Sequence, residues 1–154
     1  MRLCISYIAY GIEVYANCSQ AALDKLIKTN NKILRILLCK NNETHNVELY
    51  RLFNVLPIPL LHKMKLLQLV HKFHFHKNLL PEAFQDYFVF NSIIHEHHTR
   101  NKNNLHVSFV NSGYGQRNCV YRASKFWNDL PSYLKIVAST ELFQNSLNKY
   151  LLWR

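Results

Sequence analysis

The sequence predicts an all-α protein, an irregular bundle of about five to six helices with one long His/Asn-rich loop. Three observations point there. Only three glycines and four prolines occur in 154 residues, too few turn formers for the many hairpins of a sandwich or barrel. Two long stretches, residues 20–39 and 57–81, place apolar side chains at helical spacing. Hydrophobic residues make up 49% and aromatics 13%, enough for a core and contrary to disorder.

Residues 3–16 carry Tyr7, Tyr10 and Tyr15 among aliphatic side chains. They read as a buried helix, with a strand as the open alternative for so short an apolar run. Asn17-Cys18-Ser19 breaks the run, and Ser19 suits the N-cap of the next helix, about 20–39. Leu23, Leu26, Ile27, Leu34, Leu37 and Leu38 line one face of that helix, interrupted by Asn30. Lys25, Lys28, Lys32 and Arg35 line the other. Like charges at this spacing repel by a few tenths of a kcal/mol per pair. The bland account of the stripe is a solvated face; the functional one is anion binding.

A polar turn, residues 41–46, leads to a short amphipathic helix with Val47, Leu49, Tyr50, Leu52 and Phe53. The chain is organised around the stretch that follows, Pro57 to Pro81. Pro59 suits a first turn, and Pro81 disfavours helical geometry at Leu80. Leu60, Met64, Leu67, Val70 and Phe73 form one stripe, widened by Leu61, Leu66, Leu69 and Phe75. His62, Lys65, Lys72 and His76 fall on the other side. Such a helix needs neighbours on two sides.

Residues 81–88 read as a brief helix with Pro81 at its start. From Asn91 to Gln116 the apolar period fails and a long loop is expected. Order returns over residues 119–131 with Val120, Tyr121, Phe126 and Trp127, expected to fold back onto the helices through Trp127. A last helix begins near Ser139 or Thr140, with Leu142, Phe143, Leu147, Tyr150 and Leu151 as its stripe. The organisation expected is a single domain: a helical region over 1–90, a loop over 91–118, and a C-terminal segment over 119–154 packing back on the helices.

Nineteen Lys and Arg against nine Asp and Glu leave a net charge of +10. That excess suits a polyanion, nucleic acid first and an anionic membrane surface second. Cys4, Cys18, Cys39 and Cys119 lack ligand spacing and read as free thiols of a reducing compartment. Two disulfides in a secreted chain, with sequons at Asn17 and Asn42 and a signal-like start, are the lesser alternative. An intracellular location is therefore favoured, and no stretch is long enough to span a membrane.

His71, His74 and His76 on the central helix, with His95, His97 and His98 in the loop, invite a metal site. His74 and His76 lie about 200° apart around a helix axis, however, and surface histidines are the default. No metal or cofactor is expected. The carboxylates are scattered, with no D-x-D, no G-x-S-x-G and no phosphate-binding glycine loop. Two-metal phosphoryl transfer needs clustered carboxylates. The chain by itself is expected not to be an enzyme.

Tyr10-Gly11-Ile12-Glu13-Val14-Tyr15-Ala16-Asn17 resembles the Y-G-x-x-[VI]-[WY]-[GA]-N segment just past the polymerase palm of non-LTR (LINE-type) retrotransposon reverse transcriptases. Lys32-Ile33-Leu34-Arg35-Ile36 is similar to that family's next helix. Lys72-Phe73-His74, Leu79-Leu80-Pro81 and Thr99-Arg100 follow in the same order. Gly115, Arg122 and Lys125 through Pro131 resemble its R-x-x-x-x-W-N-x-[LI]-P element, and the terminal helix resembles its last one. Asn145 and Asn148 depart from the pattern, standing where the family often has Lys.

The resemblance covers nearly the whole chain. It implies a noncatalytic C-terminal segment with thumb-like helices, its parent polypeptide an RNA-directed DNA polymerase whose catalytic aspartates have no counterpart here. Met1 directly before this region is what a truncated copy would show. The function expected is nucleic-acid contact, to RNA or DNA, through Lys25, Lys28, Lys32, Arg35, Arg117, Arg122 and Lys125. A small helical module that binds proteins is the alternative from a different class.

Overall fold

The computed structural model describes the backbone of residues 2–40, 44–94 and 101–152, with side chains from Ser6 onward. Helices begin and end where local chemistry dictates. Gly11 takes a left-handed φ of 66° and separates α1 (Arg2–Ala9) from α2 (Ile12–Tyr15). A side chain there would be strained. α3 spans Gln20–Leu37 and α4 spans Asn46–Leu52. The central helix α5 runs Ile58–Phe75, with Pro57 as its cap residue and Pro59 in its first turn. Short 3-10 turns at Lys77–Leu79 and Glu82–Phe84 lead to α6, Asn91–Ile94. α7 (Cys119–Asn128), α8 (Ser132–Lys135) and α9 (Thr140–Leu152) complete the described chain.

Six of these helices run to seven residues or more, and three are single turns. Among the described residues the only extended pairing is one antiparallel bridge, Phe90 to Leu105. The fold is an all-α irregular bundle; the open helix-or-strand alternative over 3–16 resolves as helix, broken at Gly11, and the expected burial is corrected, because Tyr7, Tyr10 and Val14 are exposed.

α5 is the hub. Its Leu66, Leu67 and Val70 are fully buried, each burial stabilising the fold by about 1.5–3 kcal/mol. The helix packs against α1 and α2 from the N-terminal part and against α7 and α9 from the C-terminal part. Trp127, 3% exposed, sits in this core beside Phe143, with ring centres 6.1 Å apart. α7 and α9, both from the C-terminal part of the chain, thus pack on α5.

A second, smaller cluster joins α3 to α4 through Leu34, Leu49 and Tyr50. The asparagine that interrupts the apolar face of α3 belongs to it. Asn30 Nδ2 donates to the Tyr50 hydroxyl at 3.0 Å, and that hydroxyl donates to buried Asn31. Polar side chains are affordable there because each is hydrogen-bonded.

Several assignments of faces are corrected. His62, placed on the outer side of the central helix, is only 4% exposed. Arg122 of α7 lies close enough to act on its pKa, so a neighbouring helix reaches this side of α5. Leu37, Val47, Leu52 and Leu142, placed on apolar stripes, are exposed because no described helix covers those flanks. Ser19 precedes α3 without a side-chain capping bond.

The loop is also more anchored than its composition indicates. Leu105 is buried, and Asn128 holds it by accepting from its N–H at 2.9 Å and donating to its carbonyl at 2.8 Å. A Cβ on Gly115 would approach Val110 Cγ1 to 2.1 Å, so any side chain there would require the Val110 side chain to shift. His95, His97, His98, Thr99 and Arg100 lie outside the described residues.

Candidate nucleic-acid interface

α3 presents its lysines as periodicity requires. Lys25, Lys28 and Lys32 are exposed along one side of the helix, while Leu23, Asn31 and Leu34 are buried on another. Seven residues separate the outer two, about 10 Å along the axis. Asp24, their nearest acid in sequence, is bonded to the Gln20 amide at 2.8 Å. Among the described residues the one ion pair is Lys77 with Asp86, at 3.7 Å. Among the described residues, none of the three lysines forms an ion pair.

Arg35 occupies the end of the same stripe but turns inward. Its guanidinium donates to Asn46 Oδ1 at 2.6 Å and to the Thr44 carbonyl at 3.4 Å. It straps the end of α3 to the start of α4. Arg122 behaves alike: half-buried, it donates to the Ala16 carbonyl at 3.5 Å. It also adds to burial in driving His62 down to about 4.

Lys125 is exposed on α7, which packs mainly on α5, whereas α3 packs mainly on α4. Arg117 stands at neither helix; it lines a cleft with Tyr114 and Asn118. Of the seven expected residues, the structure groups Lys25, Lys28 and Lys32, engages Arg35 and Arg122 internally, and leaves Lys125 and Arg117 on other surfaces.

The element Arg122 to Pro131 has a structural account residue by residue. Arg122 ties to Ala16, Trp127 fills the core, Asn128 grips Leu105, Leu130 is buried and Pro131 precedes α8. No family model, curated protein or solved structure matches this chain.

The histidines of α5 serve packing. His71 donates from Nε2 to the Val137 carbonyl, 2.7 Å away, and stacks on Phe143 at 4.2 Å. Burial lowers its pKa, against the opposing effect of the Val137 bond. His76 reaches the next carbonyl, Ala138, at 3.0 Å. Together they hold the entry to α9. Among the described residues no three His, Cys, Asp or Glu converge to hold a metal. Among the same residues no helix is long and apolar enough to cross a membrane.

Cys18 and Cys39 are exposed free thiols, and Cys119 is half-buried. Burial, aided by the Glu13 charge, pushes the Cys119 thiol up and so keeps it protonated and unreactive.

Sequence reasoning missed one set of residues. Lys65 and Lys72 of α5 line a cleft of about 560 Å³ together with Phe84 and Tyr87. The i, i+7 spacing of the two lysines was a usable signal. The aromatic wall was not, because it comes from a segment without regular period.

Proposed function

We propose that this chain is a noncatalytic helical segment that contacts nucleic-acid phosphates, with α3 as the principal contact. The row of Lys25, Lys28 and Lys32, exposed and without an ion-pair partner among the described residues, carries the reading. A net charge of +10 draws polyanions from a distance, and the row supplies the points of contact. The resemblance to the region beyond the palm of non-LTR reverse transcriptases supports the same assignment. In that reading the parent polypeptide supplies polymerase chemistry and this segment supplies none.

Phosphate contacts release counterions, so the logarithm of affinity should fall linearly with the logarithm of salt concentration. Three lysines contribute about −2 to −3 to that slope. Replacing Lys28 and Lys32 with Gln should reduce it by about 1.5 and weaken all sequences alike. Titration of RNA and DNA at several salt concentrations checks this. A double variant that titrates like the parent would show the stripe to be only a solvated face.

A second reading rests on Tyr7, Tyr10 and Val14, which are 80%, 86% and 79% exposed near the N-terminus. Clustered apolar exposure of this kind marks protein contact. Substituting Tyr7 and Tyr10 with Ser would abolish association with a protein partner and leave the salt slope unchanged.

A further inference from the structure

Two clefts cross the surface beside α2 and α5. One, about 560 Å³, is lined in part by Glu13, Lys65, Lys72, Phe84 and Tyr87. The other, about 510 Å³, is lined in part by Tyr15, Tyr114 and Arg117. They share Val14, Asn17, Tyr87 and Cys119 and therefore form one groove. None of the α3 lysines lines it.

We infer that this groove is a track for single-stranded nucleic acid, with bases stacked on Tyr87 and Tyr114 and phosphates paired with Lys65, Lys72 and Arg117. The lining combines cations with aromatic rings. Lys65 and Lys72, seven residues apart, stand in one row on α5, about 10 Å apart along the helix axis. The Phe84 and Tyr87 rings meet edge to face at 5.2 Å at the end of that cleft. Arg117 then brings a third cation, and Tyr114 brings a ring that is 83% exposed.

Cations that follow a backbone, interleaved with aromatic rings, are how proteins hold single strands. A duplex keeps its base faces stacked inside and has none to offer Tyr114. Glu13 is the one carboxylate among the described lining residues. Set against three cations, it leaves the lining positive and offers an acceptor to an exocyclic amino group. An acidic peptide could satisfy the lysines but supplies no flat rings to the exposed tyrosine.

The inference goes beyond phosphate contact in general: it names a strand type and stands on different residues. Fluorescence anisotropy with the full chain tests it, using labelled strands of about 12 nucleotides, near the site size of single-strand binders. The strands are a base-bearing single strand, an abasic strand of equal length and a duplex. The base-bearing single strand should bind more than about tenfold tighter than the abasic one, since each stacked base contributes about that factor. Tyr114→Ser should cut that preference by about tenfold, the share of one stacked base, without changing abasic affinity. Lys72→Gln should weaken both and reduce the salt slope by about 0.7. Tyr114 and Lys72 are exposed, so both variants should melt like the parent.

Equal affinity for base-bearing and abasic strands, or a silent Tyr114→Ser, would overturn the groove. If the Lys28→Gln, Lys32→Gln double variant still weakens every strand in that case, the α3 reading stands alone. Failure of any strand to bind at low salt removes both.

Discussion

The Tyr50 hydroxyl donates to the buried side-chain oxygen of Asn31, across the contact between α4 and α3. Burial raises the pKa of this phenol, against the opposing effects of Asn30 and Arg35, so it remains a neutral donor. Tyr50→Phe keeps the ring and leaves the Asn31 oxygen unpaired. The expected cost is about 1–3 kcal/mol in urea unfolding, the penalty for a buried unsatisfied acceptor. Adding Asn31→Leu to Tyr50→Phe should recover much of it, because both partners are then apolar. A Tyr50→Phe protein as stable as the parent would show that the two helices associate without this bond.

Trp127 is the largest apolar anchor of the C-terminal segment, close to His74 as well as Phe143. Truncation to Ala should cost about 3–5 kcal/mol. For a domain of this size that lowers the melting temperature by on the order of 10 °C. Melting within a degree or two of the parent would mean the segment is not docked through the indole.

Asn128 pairs both backbone groups of Leu105, so Asn128→Ala should destabilise the protein by about 2 kcal/mol. The sharper reading is local. Amide exchange at Leu105 should accelerate far more than at Leu66 or Val70 in the middle of α5. Uniform acceleration would show that the loop is not held by this side chain.

His62 gives the protein an acid-sensitive core. Burial, and then the Arg122 charge, drive its pKa from 6.5 to about 4. The folded state therefore holds it neutral while the unfolded chain takes up a proton near pH 6.5. Between those two values the unfolded state binds more protons, so stability falls as pH drops. The full loss approaches about 3 kcal/mol at pH 4, at about 1.4 kcal/mol per unit. Melting should be flat from pH 9 to 7 and decline below 6.5, and His62→Gln should flatten the decline. His71, also lowered by burial, adds to the parent's acid sensitivity and remains in the variant. A parent that melts identically at pH 7 and pH 5 would contradict the burial of both imidazoles.

The sequence by itself determined the long helices, though not the break at Gly11 or the single turns α6 and α8. The apolar period placed α3, α5 and α9, and Pro57, Pro81 and Pro131 bounded segments as proline must. These are local effects, set by side-chain spacing and by backbone angles within a few residues. It likewise determined that Lys25, Lys28 and Lys32 share a side of α3, since that needs only a helix.

Tertiary structure alone decided which flank of each helix is covered. His62, within reach of the Arg122 charge on α7, is buried, whereas Leu142 on α9 is exposed. It converted Arg35 and Arg122 from candidate ligands of phosphate into straps between segments, the second reaching a carbonyl 106 residues away. It also brought Lys72, Tyr87 and Arg117 to one groove from three parts of the chain. Periodicity reports the geometry of one element. Burial and hydrogen-bond partners depend on which distant elements pack against it, and no local pattern carries that information.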